Sequence, residues 1–354
     1  MPDFRTLFGV DVEASASAPG RVNLLGEHTD YNDGLVMPIA IPRQVHTELA
    51  RSRDGRHRFH SEQFPDDVDL GDGEAAPRGY ARYVQGCIEV LRQRGHEVPP
   101  LWVRIDSQVP IGAGLSSSAA LEVSVLRAVR SLLSLRIDDV EIALAAQQAE
   151  HRYAGVMCGI LDQMASSLAG TDRLLYLDTR SLERRVLPLP AETALCVIDS
   201  GVSRELSGSG YNQRRAECQE AARLLGVGSL RDVDDPSAVL KLPPPLDRRA
   251  RHVLSENDRV RAAAAGVDAA TFGALMNASH RSLSVDYEVS VPALDELAAA
   301  LAAHPAVFGA KLTGAGFGGA CVALTRRGAS RDVAAQVLER FAAVHPGART
   351  TLTE

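Results

Sequence analysis

A segment rich in glycine and serine, PIGAGLSSSAA at 110–120, leads directly into a pattern of apolar residues with helical spacing. Gly112 and Gly114 allow the backbone to turn tightly against a ligand. The serines that follow lie at the start of the helix, where amide groups without an intrahelical partner and the positive end of the helix dipole favour an anion. A plain serine N-cap needs only one such residue, so three serines and two glycines favour phosphate binding.

A second segment, APGRVNLLGEHTDYNDG at 18–34, concentrates many different polar side chains between glycines. Carboxylate and imidazole groups form hydrogen bonds with neighbouring hydroxyl groups, so this segment could bind a polyol. The trio Glu27, His28 and Asp30 could instead bind a metal. Zinc is disfavoured because the spacing is not HExxH and no cysteine lies nearby. A solvated turn is the third alternative.

Two acids and one further glycine-rich segment complete the candidates. Glu150 lies near the end of a predicted helix, and Asp162 lies within the otherwise apolar CGILDQ, as a helix cap or as a functional carboxylate. The segment TGAGFGG at 313–319 formally matches GxGxxG. A dinucleotide-binding loop must be followed by a helix, but ACVALT predicts a strand, so this match does not indicate a Rossmann fold. The loop either approaches a ligand or simply packs as a hairpin.

The elements that must position these groups mix strands and helices in both halves of the chain. The predicted strands lie at 35–50, 101–106, 173–190 (a hairpin), 194–199, 306–312, 320–325 and 348–352. The predicted helices lie at 119–133, 138–153, 161–168, 211–225, 247–264, 268–283, 291–302 and 329–343. This alternation predicts an α+β fold. Because 354 residues exceed the size of one core, we expect two domains, 1–190 and 191–354.

Composition excludes several classes of protein. The formal net charge is −7 and no basic run is present, which disfavours nucleic-acid binding. Only two basic residues are lysines, Lys241 and Lys311, and neither follows a glycine as a P-loop requires. The five cysteines are odd in number and lack CxxC spacing, which favours reduced thiols. The first residues predict neither a signal peptide nor a membrane span, so we expect a cytoplasmic protein.

Taken together, these segments resemble the galactokinases, in the superfamily of homoserine, mevalonate and phosphomevalonate kinases. PIGAGLSSSAA is similar to the ATP-binding motif of that superfamily, and KLTGAGFGGA at 311–320 to its C-terminal glycine motif. The sugar assignment rests on GRVNLLGEHTDYNDG, which is similar to the galactokinase N-terminal motif. QQAEHRYAGVMCGILDQ at 147–163 and SHRSLSVDYEVSVPALDEL at 279–297 support it. The resemblance implies a two-domain kinase fold of the galactokinase and mevalonate kinase type, with neither a P-loop nor a Rossmann domain.

The resemblance also implies roles for individual residues. Asp162 matches the catalytic carboxylate and Arg21 its cationic neighbour. The sugar ligands would be Glu27, His28, Asp30, Gly159 and Tyr211. The nucleotide phosphates would be bound by Gly112, Gly114, Ser116, Ser117 and Ser118, and magnesium by Ser118 and Glu150. Tyr80 departs from the family pattern, since many members carry tryptophan there, near the adenine.

The implied reaction transfers the γ-phosphoryl group of ATP to the C1 hydroxyl of α-D-galactose, with Mg²⁺ bound by oxygen ligands. Asp162 would accept the hydroxyl proton, or it would orient the hydroxyl while Arg21 stabilises developing charge. Two alternatives are a regulatory protein that binds galactose and ATP without turnover and a kinase for a different sugar. Since this chemistry needs no catalytic lysine, we expect Lys311→Arg to be tolerated.

Overall fold

The computed structural model describes residues 2–77, 79–202 and 207–353, with side chains of the 207–225 helix described from Gly210 onward. Its helices are α1 (Phe4–Phe8), α2 (Tyr80–Gln93), α3 (Ser117–Leu133), α4 (Asp139–Ala149), α5 (Leu161–Leu168), α6 (Ser207–Leu225), α7 (Leu246–Ala264), α8 (Ala269–Val285), α9 (Pro292–Ala302) and α10 (Ser330–Phe341). Its strands are β1 (Ala14–Asn23), β2 (Leu35–Val36), β3 (Pro38–Arg51), β4 (Arg56–Ser61), β5 (Val68–Gly71), β6 (Leu101–Ser107), β7 (Arg173–Asp178), β8 (Arg184–Pro188), β9 (Thr193–Asp199), β10 (Val307–Thr313), β11 (Ala320–Arg326) and β12 (Arg349–Thr353).

The chain folds into two compact units that interleave along the sequence. The first contains the residues up to Arg21, Ala40–Pro110 and Ser116–Leu168. The second contains Val22–Ile39, Ile111–Leu115 and the chain from Ala169 onward. The expected division into 1–190 and 191–354 stays a prediction about folding domains.

The first unit contains a five-stranded sheet in the order β1-β3-β6-β4-β5. β3 pairs antiparallel with β6, and β4 runs parallel to β6. Helix α3 packs against α2, α4 and α5 and is buried along most of its length, which explains its many small and branched apolar residues. Asp138 caps α4 through the amides of Val140 and Glu141, as the acidic pair at 138–139 predicts.

The second unit contains a four-stranded antiparallel sheet in the order β10-β11-β9-β12. Helices α8 and α9 pack on β10, and α10 packs on β9. The core between these elements is filled by small and branched side chains of both sheet and helices. A three-stranded sheet, β2-β7-β8, also belongs to this unit.

The structure confirms the α+β prediction and corrects several element boundaries. The expected strand at 35–50 is two strands in different sheets, because Met37 bonds back to the backbone of Leu24 and Leu25. The expected helix at 138–153 ends at Ala149 and continues as a π-type turn over Glu150–Ala154. The loop at 313–319 joins two antiparallel strands, so the GxGxxG match is not a dinucleotide site.

Five elements of the first unit were missed by the sequence analysis: α1, β1, α2, β4 and β5. Strand β1 contains Pro19 and Gly20, which ordinarily disfavour a strand. All five cysteines are free thiols. Within the described ranges, no helix combines the length and apolar composition needed to cross a membrane.

Candidate active site

Arg21 and Asp162 form a close ion pair within the first unit. Arg21 lies on β1 and directs Nε and Nη2 to the same oxygen, Oδ1 of Asp162, at 2.8 and 2.5 Å. Asp162 lies in the first turn of α5, and its side chain is 31% exposed whereas that of Arg21 is 5% exposed. The geometry therefore holds one carboxylate oxygen firmly and leaves the carboxylate reachable from one side.

The other oxygen of Asp162 is contacted by Ser116. Ser116 Oγ donates to Asp162 Oδ2 at 2.5 Å. Ser116 occupies the N-cap position of α3 with φ +59°, but its hydroxyl makes no capping hydrogen bond. The plain N-cap interpretation of the serine cluster therefore does not describe Ser116, whose hydroxyl is turned toward the candidate catalytic carboxylate. Left-handed backbone costs a non-glycine residue about 1 kcal/mol and is typical of functional sites.

The remaining residues of the candidate phosphate loop lie where the chain crosses from one unit to the other. Gly112 and Gly114 have φ angles of +77° and +81° and belong to the second unit. Ser117 and Ser118 open α3 in the first unit, where the first amides of a helix have no intrahelical acceptor. This is the backbone geometry that anion binding at a helix start requires.

Two buried acids, Glu150 and Glu122, lie near each other in the first unit. Ser118 Oγ donates to Glu150 Oε1 at 3.3 Å, and Gln163 Nε2 donates to Glu150 Oε2 at 2.6 Å. Glu122 is fully buried, and its Oε1 has no hydrogen-bond partner among the described residues. Burial, followed by the charge of Asp162, raises the pKa of Glu150 to about 7. Burial also raises the pKa of Glu122 well above its usual range.

This donor set fits a magnesium ion. A hydroxyl and a carboxylate are the hard oxygen ligands that Mg²⁺ prefers, and Mg²⁺ keeps several waters or phosphate oxygens in addition. The orphaned oxygen of Glu122 and the crowded negative groups would be stabilised by a cation. In the described ranges no group of three or more His, Cys, Asp or Glu side chains is arranged as a metal cage. Ser118 and Glu150 remain the predicted protein ligands.

The candidate sugar loop lies in the second unit and is supported by α7. Glu256 Oε1 accepts the amide of Gly26, and Asn257 Oδ1 accepts the amide of Leu35. His252 Nε2 donates to the backbone oxygen of Glu27 at 3.0 Å. Gly26 is required at its position, since its φ is +92° and an added Cβ would lie 2.3 Å from the backbone oxygen of Leu35. Three side chains of one helix thus fix the backbone that carries Glu27, His28 and Asp30.

His28 begins a directional chain of hydrogen bonds. Its Nε2 lies 3.2 Å from the carbonyl of Ala315, which can only accept, so Nε2 carries the proton. Burial lowers the pKa of His28 to about 3, so the ring is neutral and Nδ1 accepts from Tyr31 Oη at 2.8 Å. Tyr31 then accepts from Tyr287 at 2.8 Å, and Tyr287 from Cys218. Both ring nitrogens of His28 are therefore occupied within the protein, which limits its side chain as a sugar ligand.

Glu27 and Asp30 differ in their surroundings. Glu27 Oε1 accepts from Lys311 Nζ at 3.1 Å and from the Gly314 amide at 2.8 Å. Asp30 is half-buried, and its Oδ1 accepts the amide of Tyr31 at 3.1 Å. Glu27 is thus a buried, rigidly held carboxylate, whereas Asp30 lies closer to solvent.

The other sequence-predicted residues have distinct positions. The ring of Tyr211, on α6, lies 5.7 Å from that of His28 and 5.2 Å from that of Tyr31. Gly159 is buried in the segment between the π-type turn and α5 of the first unit. Tyr80 is buried at the start of α2, where its hydroxyl donates to Phe59 and its ring stacks on Phe64.

Gln163 and Tyr287 were not predicted as functional residues, although both lie inside segments that resemble the family. Lys311 was named only as a lysine without a catalytic role. Gln163 follows Asp162 directly, and its buried amide bonds Glu150. A buried lysine and a tyrosine beside an imidazole have no local sequence signature, because their partners lie far away in the chain.

Three family models match this chain. The galactokinase galactose-binding signature matches residues 2–51, the GHMP kinase N-terminal domain residues 82–170 and the GHMP kinase C-terminal domain residues 260–345. A galactokinase of Roseiflexus is 43% identical over 92% of this chain and 86% of its own length. A galactokinase of Thermotoga neapolitana is 40% identical over 89% of this chain and 90% of its own length.

Solved structures give the same result. The galactokinase of Lactococcus lactis in complex with galactose superposes with a TM-score of 0.91, at 32% identity over 98% of this chain and 95% of that one. The mevalonate kinase of Methanococcus jannaschii, at 18% identity, shares the fold with a TM-score of 0.69 over 95% of this chain and 96% of its own. The fold predicted from sequence is confirmed, and the chain belongs to the galactokinase family of the GHMP kinases.

Proposed function

We propose that this kinase transfers the γ-phosphoryl group of ATP to the C1 hydroxyl of α-D-galactose, giving galactose 1-phosphate and ADP. The observation that carries the mechanism is the arrangement of Asp162, with Arg21 on Oδ1 and a rotatable serine hydroxyl on Oδ2. A sugar hydroxyl could donate to Oδ2 beside Ser116 without disturbing the ion pair, because a carboxylate oxygen can accept more than one hydrogen bond. Family membership supports the substrate.

In this mechanism Asp162 accepts the proton of the attacking hydroxyl, a contribution typically of about 10²–10⁴ in rate. Arg21 keeps the carboxylate oriented and adds positive charge beside the reacting oxygen. The O–H bond of the C1 hydroxyl breaks, and a new O–H bond forms at Asp162. At the same time the bond between the γ-phosphorus and the leaving oxygen of ADP breaks, and a bond from that phosphorus to the sugar oxygen forms.

Binding is divided between the remaining residues. Glu27, Asp30, Gly159 and Tyr211 are assigned to the sugar, with His28 acting through its fixed position. Gly112, Gly114, Ser116, Ser117 and Ser118 are assigned to the phosphates of ATP. Ser118 and Glu150 would hold Mg²⁺, which when bound neutralises charge on those phosphates. The five free thiols favour a cytoplasmic setting.

The test is release of ADP from ATP with galactose and a panel of other hexoses, for the wild type and Asp162→Ala. We expect galactose to be the best acceptor, and Asp162→Ala to bind galactose measurably while losing at least about 10²-fold in kcat. Asp332→Asn, an exposed acid in the first turn of α10, is the matched control. Binding of galactose and ATP without turnover by the wild type would favour the regulatory alternative, and a better hexose would favour the other-sugar alternative.

A further inference from the structure

Lys311 is a wholly buried lysine in a chain that otherwise uses arginine almost everywhere. Lys311 lies on β10 with none of its side chain exposed, whereas the other lysine, Lys241, is exposed. Its Nζ donates to the backbone oxygen of Asn23 and to Glu27 Oε1, both at 3.1 Å. An ammonium group buried without a partner would be costly, and Glu27 supplies the opposite charge.

The hydrogen bonds that the described residues make to the Glu27 carboxylate both fall on one oxygen. Lys311 Nζ and the Gly314 amide both donate to Oε1, and no described hydrogen bond within the ranges that the structure covers uses Oε2. A carboxylate has acceptor sites on both oxygens. The contacts on Oε1 fix the plane of the group and leave Oε2 as the oxygen available to a ligand.

We propose that Lys311 is a positioning residue for sugar recognition, which together with the Gly314 amide fixes Oε1 of Glu27 so that Oε2 meets one sugar hydroxyl. This inference rests on the proposed function, because it takes Glu27 as a sugar ligand. The role does not require Lys311 to touch the sugar. It requires Lys311 to hold the carboxylate at one angle and to balance its charge.

The geometry revises the expectation that arginine is tolerated at this position. Lys311 presents a compact ammonium to two acceptors inside a fully buried site. A guanidinium is larger, planar and fixed in its donor directions. We therefore expect Lys311→Arg to displace Glu27 even though the charge is kept.

The first experiment measures galactose binding by calorimetry and the kinetic constants for both substrates. We expect Lys311→Met to weaken galactose binding by about 10-fold or more, the size of one lost charge-assisted hydrogen bond, with the KM for ATP changed less than about twofold. Lys311→Arg should fall between this variant and the wild type. Lys241→Met is the matched control and should change nothing. A folded Lys311→Met that binds galactose like the wild type overturns the proposal.

The second experiment separates positioning from mere stabilisation of the fold. In a Glu27→Gln background, Lys311→Met should cause no further loss of galactose affinity, because Lys311 acts through the Glu27 charge. This double variant leaves no unpaired buried charge, so it remains informative if Lys311→Met alone fails to fold. A further loss of affinity in the double variant contradicts the proposal.

A panel of monodeoxygalactoses identifies the hydroxyl concerned. The deoxy sugar that lacks the hydroxyl contacted by Glu27 should bind the Lys311→Met variant as well as it binds the wild type. The affinity of the same sugar should also be unchanged by Glu27→Gln. Equal penalties for every deoxy sugar would mean that Lys311 acts on the site as a whole, which overturns the proposal. Failure of the wild type to bind galactose at all would instead refute the proposed function.

Discussion

Ser116 Oγ lies 2.5 Å from Asp162 Oδ2, on the carboxylate oxygen opposite to the one that Arg21 contacts. The serine thus reaches the carboxylate from a left-handed backbone position at the start of α3. A residue that the sequence predicts as a phosphate ligand therefore also contacts the candidate base.

Ser116→Ala and Ser116→Gly should both lower kcat by about 10-fold, because Asp162 loses a hydrogen bond that fixes its orientation. The two variants differ in backbone cost, since glycine adopts φ +59° freely and alanine does not. We expect Ser116→Ala to be about 1 kcal/mol less stable than Ser116→Gly in urea unfolding. Unchanged kcat in both variants would show that the Ser116–Asp162 contact has no role in turnover.

Glu150→Gln should raise the magnesium concentration needed for half-maximal activity by about 10-fold, because one of two protein oxygen ligands loses its charge. Activity is measured against Mg²⁺ at fixed ATP. A second readout is Mn²⁺ binding in the presence of ATP, followed by electron paramagnetic resonance. The matched control is Glu141→Gln in the α4 capping box, which should cost stability but leave the Mg²⁺ dependence unchanged. If both variants show the wild-type Mg²⁺ dependence, Glu150 is not a metal ligand.

Tyr31→Phe should destabilise the second unit by about 1–3 kcal/mol, because His28 Nδ1 loses its donor and the Tyr287 hydroxyl its acceptor, both buried. Galactose affinity should fall as well, since His28 is no longer held in one orientation. Tyr176→Phe, a half-buried tyrosine beneath Arg185, is the control. Urea unfolding and galactose titration of both variants provide the measurement. Equal stabilities for the two variants would argue against the hydrogen-bond chain.

The buried histidines should make stability depend on pH. Burial lowers the pKa of His28 to about 3 and that of His252 to about 4, from 6.5. Below pH 6.5 the unfolded chain therefore binds more protons than the folded chain. The contribution of the two neutral histidines to the free energy of unfolding is complete above pH 6.5 and is lost as the pH falls toward 4 and 3. At pH 5 each histidine accounts for a loss of about 2 kcal/mol.

The measurement compares unfolding free energies at pH 7.5 and 5.0. His252→Asn should lose about 2 kcal/mol less than the wild type over this interval. Glu256, Arg259 and Asp286 face His252, and they are unchanged in the comparison. An identical pH dependence for wild type and His252→Asn would disprove the assignment.

Much of the fold follows from local sequence. The apolar period of α3 and the continuous apolar run of β11 indicate their elements without reference to the rest of the chain. Strand β1 was missed because Pro19 and Gly20 oppose strand formation locally, and pairing within a sheet overrides them. Residue types in the motifs, together with the family resemblance, likewise predicted Arg21, Asp162 and Glu27 as functional groups.

The contacts of those groups could not be predicted in the same way. Ser116 could equally have capped α3, and only packing of α5 beside it decides that its hydroxyl meets Asp162. Lys311 lies 284 positions from Glu27, so no spacing in the sequence relates them. Tyr287 and Cys218 join His28 only because α6 and the segment after α8 pack in one core.

The support of the sugar loop by α7 has a consequence for synthesis of the protein. Gly26 and Leu35 find their side-chain partners 230 and 222 positions later, and Glu27 finds Lys311 later still. A chain emerging from the ribosome therefore carries its sugar loop unsupported until almost the whole polypeptide has been made. Such long sequence separations slow folding, and formation of the loop belongs to its last stages. Fragments released before Gly314 would contain the sugar motif yet lack the contacts that shape it.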